Sequence, residues 1–292
     1  MILLSMSLYA QSLGKQTEVN VFLPGDAASD NPVRVLWLLH GMSDDHTGWI
    51  RRSCIEVLAD AYGVAVVMPN ADLSFYVDMT VGGDYCTWIS GELPRKLCKI
   101  LPLSAKPEDN FIAGISMGGY GAFHIALNNP EKFNTAISLS GPMRIDWINR
   151  ILTDKTLAEI YASGDKNRIA LTCKSYAENN KLPELLVNSL IEMSNSRTIR
   201  AFEAMFGMDP VLTGNHYDLF YLAQTMHDRK LPLKLIAFCG EQDYHYVSNI
   251  LFKEFAEKSG LSYHVTTGDG AHQWDYWNRV IPVMLEMLFG KK

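Results

Sequence analysis

The start of the chain is apolar but patterned. From Ser5 to Ala10 apolar and polar residues largely alternate, Gly14-Lys15 interrupts, and Val19, Val21 and Leu23 take the alternation up again. That period of two predicts a β-hairpin. Further along, the alternation gives way to short, almost wholly apolar runs at residues 33–39, 64–68, 111–115, 135–139 and 233–238. Runs of strand length with no polar face predict strands buried on both sides, as in a parallel sheet. Helical periodicity fills the gaps at residues 50–61, 89–101 and 119–128, where Pro130 helps to stop the last. Two more helices are expected late, at 246–259, with Gly260 placed to end it, and at 273–289. Alternating β and α elements predict an α/β fold, an open and mostly parallel central sheet covered by helices.

One stretch breaks this rhythm. From about 142 to 232 no strand pattern occurs, and helical patterns recur at 183–193, 198–206 and 218–227. Ninety residues are too many for one βα connection. The expectation is therefore a single domain over 1–292 carrying a helical cap inserted at about 142–232, the alternative being a separate small helical domain.

Composition narrows the class of function. With 48% hydrophobic and 20% charged residues and a net charge of −6, no basic face is offered to nucleic acid. No segment approaches the ~20 apolar residues needed to span a bilayer, so no membrane partner is expected. The first ten residues could pass for a short signal peptide, but they lack a positively charged start, and a strand is the better reading. Five scattered cysteines, Cys54, Cys86, Cys98, Cys173 and Cys239, contain no C-x-x-C pair. They read as small core residues in a reducing, cytoplasmic compartment, without disulfides or structural zinc.

The chemistry concentrates at residues 111–124. Gly114-Ile115-Ser116-Met117-Gly118 is a G-x-S-x-G motif with an apolar strand entering it and a helix leaving it. That context is the strand-turn-helix elbow that projects a serine hydroxyl above a sheet. A hydroxyl needs a base to become a nucleophile, and the partners should follow in the order acid, then histidine, each after a late strand. Residues 233–243 give a strand, a glycine turn and Asp243; residues 261–272 give a strand, a loop and His272. Ser116, Asp243 and His272 are thus the candidate catalytic residues. Glu241 and Asp269 compete as acids, and His245 falls on the pocket or the surface.

Charge developing on a carbonyl oxygen needs pre-aimed N–H donors. Met117, next to the serine, should supply one, and Met42, exposed after the His40-Gly41 turn, the other. Asp44, Asp45 and His46 match no metal-ligand spacing, so a polar loop is expected and no metal or cofactor. Phe75, Tyr76, Trp88 and Trp274 are the candidate substrate-binding aromatics, with Tyr85 beside Trp88; Trp274 and Trp277 follow His272 and have packing of the last helix as their alternative.

Together Leu39-His-Gly-Met-Ser, Met68-Pro-Asn, Glu92-Leu-Pro, Ala113-Gly-Ile-Ser-Met-Gly-Gly-Tyr-Gly-Ala and His272-Gln-Trp-Asp-Tyr-Trp resemble the esterase D group, and within it the bacterial tributyrin esterases, of the carbohydrate esterase family one type. The resemblance runs over nearly the whole chain. It implies the α/β-hydrolase fold and a metal-free serine hydrolase of small-molecule esters, with short acyl or aryl groups and the three catalytic positions given above. Members of such groups often associate into homo-oligomers, although no segment here identifies an interface. The sequence departs from the group at Pro282, which should kink the last helix, and in a longer, irregular insert between Asp146 and Arg197. Three readings stay open: a carboxylesterase, an S-formylglutathione hydrolase-like thioesterase, and a catalytically silent carbohydrate-binding relative.

Overall fold

In a computed structural model the apolar runs lie side by side in one eight-stranded sheet. The structure describes residues 1–153 and 196–291, and between them only 163–165, 167–168, 171 and 174–175. The N-terminal alternation forms the expected hairpin, β1 (Ile2–Ala10) with β2 (Lys15–Leu23), in register from Ile2 opposite Leu23 to Ala10 opposite Lys15. Beyond it come β3 (Val35–Leu39), β4 (Ala65–Pro69), β5 (Asn110–Ile115), β6 (Thr135–Leu139), β7 (Lys234–Gly240) and β8 (Tyr263–Gly268). The spatial order is β1-β2-β4-β3-β5-β6-β7-β8. The pairings of β2 are antiparallel and all those from β4 to β8 are parallel.

Period-two geometry splits the strand residues between two cores. Val35, Trp37 and Leu39 face one, and Leu36 and Leu38 face the other. Helices α1 (Gly48–Arg52) and α2 (Ile55–Tyr62) cover the second face together with α9 (Trp274–Phe289). The first face is covered by α3 (Leu93–Ile100), α4 (Met117–Asn128), α7 (Leu219–Asp228) and α8 (Tyr246–Ser259). Helices α5 (Asp146–Thr153) and α6 (Ser196–Phe206) lie, like α7, in the 142–232 insert. The helix expected at 183–193 lies outside the described residues.

Several boundaries differ from the periodicity. The run 50–61 is two helices, because Ser53 is extended (φ −137°, ψ 170°) and its hydroxyl bonds the Trp49 carbonyl. The run 89–101 opens as a π turn, Trp88–Glu92, before α3. Pro94 has no N–H to return to Ser90, so a regular α ladder cannot pass through it. Pro282, by contrast, sits inside α9 without ending it. Gly260 caps α8 in the left-handed region at φ 71°, as its position predicts. The cysteines are less buried than expected: only Cys239 is buried among the four described, and Cys54 is exposed.

Glu92, at the end of the π turn, ties the turn of the hairpin to α3. Its buried carboxylate accepts the Gln11 and Ser12 amides, both at 2.8 Å, and the Ser12 hydroxyl at 2.5 Å, and it pairs with Lys96 at 2.9 Å. Burial pushes this carboxyl up, but the Ser12, Lys96 and Gln11 donors more than offset that and hold it down at about 2. A group depressed in the folded state stabilises fully above its ordinary value of 4.5, and that contribution fades as pH falls toward 2. Glu92→Gln should therefore cost about 1–3 kcal/mol at pH 7. Urea unfolding of both proteins from pH 7 to pH 3 should show the gap narrowing below pH about 4.5.

Candidate active site

Strand β5 delivers the chain to Ser116 in a strained turn. Ser116 has φ 52° and ψ −119°, and α4 begins at the next residue. Such a backbone costs a side-chain-bearing residue about 1–3 kcal/mol and persists only where its surroundings enforce it. The flanking glycines allow that enforcement. A Cβ on Gly114 would collide with the Gly118 carbonyl, and one on Gly118 would sit 2.5 Å from the Leu39 oxygen and 2.7 Å from that of His40. The Ser116 amide is held by the Leu139 carbonyl at 2.9 Å, which anchors the turn to β6.

The loops after β7 and β8 meet above this turn. His272 Nε2 lies 2.9 Å from Ser116 Oγ, and His272 Nδ1 lies 2.9 Å from Asp243 Oδ2. An ionised carboxylate can only accept, so Nδ1 carries the proton and Nε2 is free to accept from the serine hydroxyl. Asp243 is 1% exposed, and its other oxygen accepts the His245 amide at 2.8 Å. Burial raises its pKa, but the hydrogen bond and charge of His272, with His245, outweigh burial and leave it below the ordinary value. The two loops are locked together through Gln242, whose amide donates to the Gly270 carbonyl while its side chain accepts the Gly270 amide. Gly240 is required there, since any Cβ would strike the Gly270 carbonyl. Glu241 and Asp269 are both exposed, away from the buried position that Asp243 takes beside His272.

His272 is also packed. The Tyr244 ring lies 4.2 Å from it, and Trp277 stands edge-on at 5.0 Å, with its indole N–H on the Ser140 hydroxyl at 3.0 Å. His245 is buried beside it, 5.5 Å between rings, and burial lowers its pKa to about 3, so it stays neutral.

The loop after β3 brings Met42 to the same cavity. His40 is buried and its pKa is lowered by burial; its Nε2 accepts the Ala71 amide at 3.0 Å, so its Nδ1 donates to the Gly41 carbonyl at 2.8 Å. The His40 carbonyl in turn accepts the Tyr76 hydroxyl at 2.9 Å. Among the described residues neither the Met42 nor the Met117 amide meets a protein acceptor. Two N–H groups next to the serine are thus available to an incoming oxygen. In the polar loop beyond, Asp44 pairs with Arg51 and Asp45 accepts the Thr47 amide and hydroxyl.

These groups share a cavity of about 510 Å3 that Phe75 and Trp274 also line. Tyr76 and Trp88, expected beside them, do not reach it. The Tyr76 ring is fully buried over Gly121, where it braces the His40 loop, and Trp88 is fully buried in the core at the π turn. Trp277, for which the sequence leaves both the cavity and the last helix open, lines the cavity as well. Trp147 and Tyr244 complete the aromatic lining, and no periodicity marked them.

The chain resembles known esterases and serine hydrolases over nearly its whole length. The "Putative esterase" family model matches residues 10–288. An acetyl esterase of Caldicellulosiruptor saccharolyticus is 26% identical over 299 aligned positions, covering 99% of this chain and 98% of that protein. Among solved structures, the fluorophosphonate-binding serine hydrolase FphF of Staphylococcus aureus superposes with a TM-score of 0.77 at 29% identity, covering 99% of both chains. The S-formylglutathione hydrolase FrmB of the same organism gives 0.75 at 27%, covering 99% of this chain and 98% of that one.

The close approach at the elbow sets a steric test. Gly118→Ala should destabilise the fold by about 2–3 kcal/mol, because both opposing atoms are backbone and cannot turn away. Gly91→Ala, where a Cβ meets nothing within 4 Å, should change the urea midpoint little.

Proposed function

We propose that this chain, which belongs to the esterase family, is a serine carboxylesterase for short acyl or aryl esters, with Ser116, His272 and Asp243 as its catalytic triad. The observation that carries this reading is the unbroken line of hydrogen bonds from Asp243 through His272 to Ser116, at 2.9 Å each. Ser116 Oγ attacks the ester carbonyl carbon while His272 Nε2 takes its proton. The oxyanion that forms is held by the Met42 and Met117 amides. Collapse breaks the bond to the alcohol, which leaves with the proton from His272, and water then repeats the sequence on the acyl-enzyme. Asp243 holds the imidazole in the required tautomer and stabilises its charged form.

A preference for small acyl groups is supported by the aromatic wall. Phe75 packs edge-on against Phe202 at 5.8 Å, and Trp147 does so at 5.7 Å, so interlocked rings line that side of the cavity. Thioesters form a second reading, favoured by the full-length likeness to an S-formylglutathione hydrolase. Turnover of S-formylglutathione above that of simple esters would select it.

Ser116→Ala should lower kcat on p-nitrophenyl acetate by at least about 10^4-fold, and Asp243→Asn by about 10^3–10^4-fold, with far-UV circular dichroism unchanged. Substantial turnover by purified Ser116→Ala would contradict the assignment. On acetyl, butyryl and octanoyl esters of one alcohol, kcat/KM should fall by about tenfold or more at the longest chain. An octanoyl ester hydrolysed as fast as butyryl would contradict the preference for small acyl groups.

A further inference from the structure

We propose that Arg52 and Trp274 form a leaving-group subsite that favours substrates whose departing alcohol or thiol carries a carboxylate. The inference rests on the esterase reading of the same cavity and adds the chemistry of the group that leaves. His272 must hand its proton to the leaving oxygen or sulfur, so that atom departs within hydrogen-bond reach of Nε2. Trp274 lies two residues beyond His272 and lines the cavity, held edge-on by Trp49 at 5.2 Å and Trp277 at 5.4 Å. The Arg52 guanidinium stands 5.9 Å from its ring centroid. A planar substituent leaving from His272 can therefore rest against a fixed indole with a cation at its edge.

Arg52 is the one lysine or arginine among the described residues lining this cavity, and its side chain is 48% exposed. Asp44 also lines the cavity and pairs with both Arg51 and Arg52. Asp44 Oδ1 accepts Arg51 at 2.8 Å and the Asp45 amide at 3.1 Å, while Asp44 Oδ2 stays 3.7 Å from Arg52, beyond hydrogen-bond range. Asp45 Oδ1 is taken by the Thr47 amide at 2.8 Å and hydroxyl at 2.6 Å. Arg51 makes the hydrogen-bonded ion pair with Asp44, and the Arg52 guanidinium, 3.7 Å from Asp44, makes no hydrogen bond to any described residue. Its backbone is nevertheless fixed, since its carbonyl accepts the Asn278 side-chain Nδ2–H at 2.9 Å and ties the end of α1 to α9. An arginine anchored at its main chain, placed over an indole and paired only through Nε at 3.7 Å keeps its two terminal nitrogens for a carboxylate, which its fork can bind with two hydrogen bonds.

The test compares 4-acetoxybenzoate with 4-acetoxybenzamide, which share the acyl group and differ in leaving-group charge. The ratio of their kcat/KM values is read in wild type, Arg52→Gln, Arg52→Lys and Arg52→Glu, so that intrinsic reactivity cancels between proteins. The ratio should fall roughly three- to tenfold in Arg52→Gln and further in Arg52→Glu, mainly through KM, while Arg52→Lys keeps part of it. Raising ionic strength to about 1 M should shrink the wild-type ratio toward that of Arg52→Gln. A ratio that is the same in wild type, Arg52→Gln and Arg52→Glu, with both esters still turned over through Ser116, would overturn the subsite alone. Turnover that does not depend on Ser116 would overturn the esterase reading and the subsite with it.

Discussion

Ser116 occupies a backbone conformation, φ 52°, that no side-chain-bearing residue takes without being forced. Most of the surrounding structure supplies that force. The end of β3 presses on Gly118, whose missing Cβ lets the Leu39 and His40 carbonyls come within contact distance. Gly119 and Gly141 allow α4 to lie against the turn after β6, where Ser140 is itself left-handed at φ 54°. Gly121 lets the Tyr76 ring slide beneath the helix, and that ring carries the hydroxyl that braces the His40 carbonyl. One close-packed contact therefore sets both the position of the serine and the loop from which Met42 points. Packing at this density transmits displacement, so a methyl group added at the elbow is felt at the site.

Electrostatics finishes what packing begins. Asp243 is buried, a state that costs an isolated carboxylate heavily, yet its oxygens receive the His272 ring and the His245 amide. The neighbouring His245 stays neutral because it is buried, and so does not compete for the charge that His272 would carry. Trp277 and Tyr244 close around the imidazole and limit its motion. A positive charge on His272 would have the Asp243 carboxylate at Nδ1 as its counter-charge, fixed in direction.

Much of this was legible in the sequence because it depends on short-range pattern. Buried parallel strands read as apolar runs, and all five apolar runs match strands to within two residues at each end. The elbow and the order serine, acid, histidine placed three residues at one point across 156 positions, since each follows a strand of the same sheet. What stayed hidden depends on tertiary neighbours. Tyr76 and Trp88 look like pocket aromatics, but ring size says nothing about direction, and both turn inward where a glycine or a π turn makes room. Trp147 and Tyr244 carry no signal of their own, because the cavity they line is assembled from separate loops and the insert. Arg52 looks like an ordinary basic residue at a helix end; only its position over Trp274 and the engagement of Asp44 by Arg51 distinguish it. The double helix at 48–62 was missed for a related reason, since a single extended serine leaves the helical periodicity nearly intact.

The central claim is that Ser116 forms a covalent acyl-enzyme, and trapping that species tests it most directly. The wild-type protein would be mixed with excess p-nitrophenyl butyrate, quenched in acid within milliseconds, digested and read by mass spectrometry. A butyryl group should appear on the peptide carrying Ser116 and be absent from that peptide in Ser116→Ala. Ester turnover with the label on another side chain, or with no covalent species under conditions where a burst of p-nitrophenol is seen, would contradict it.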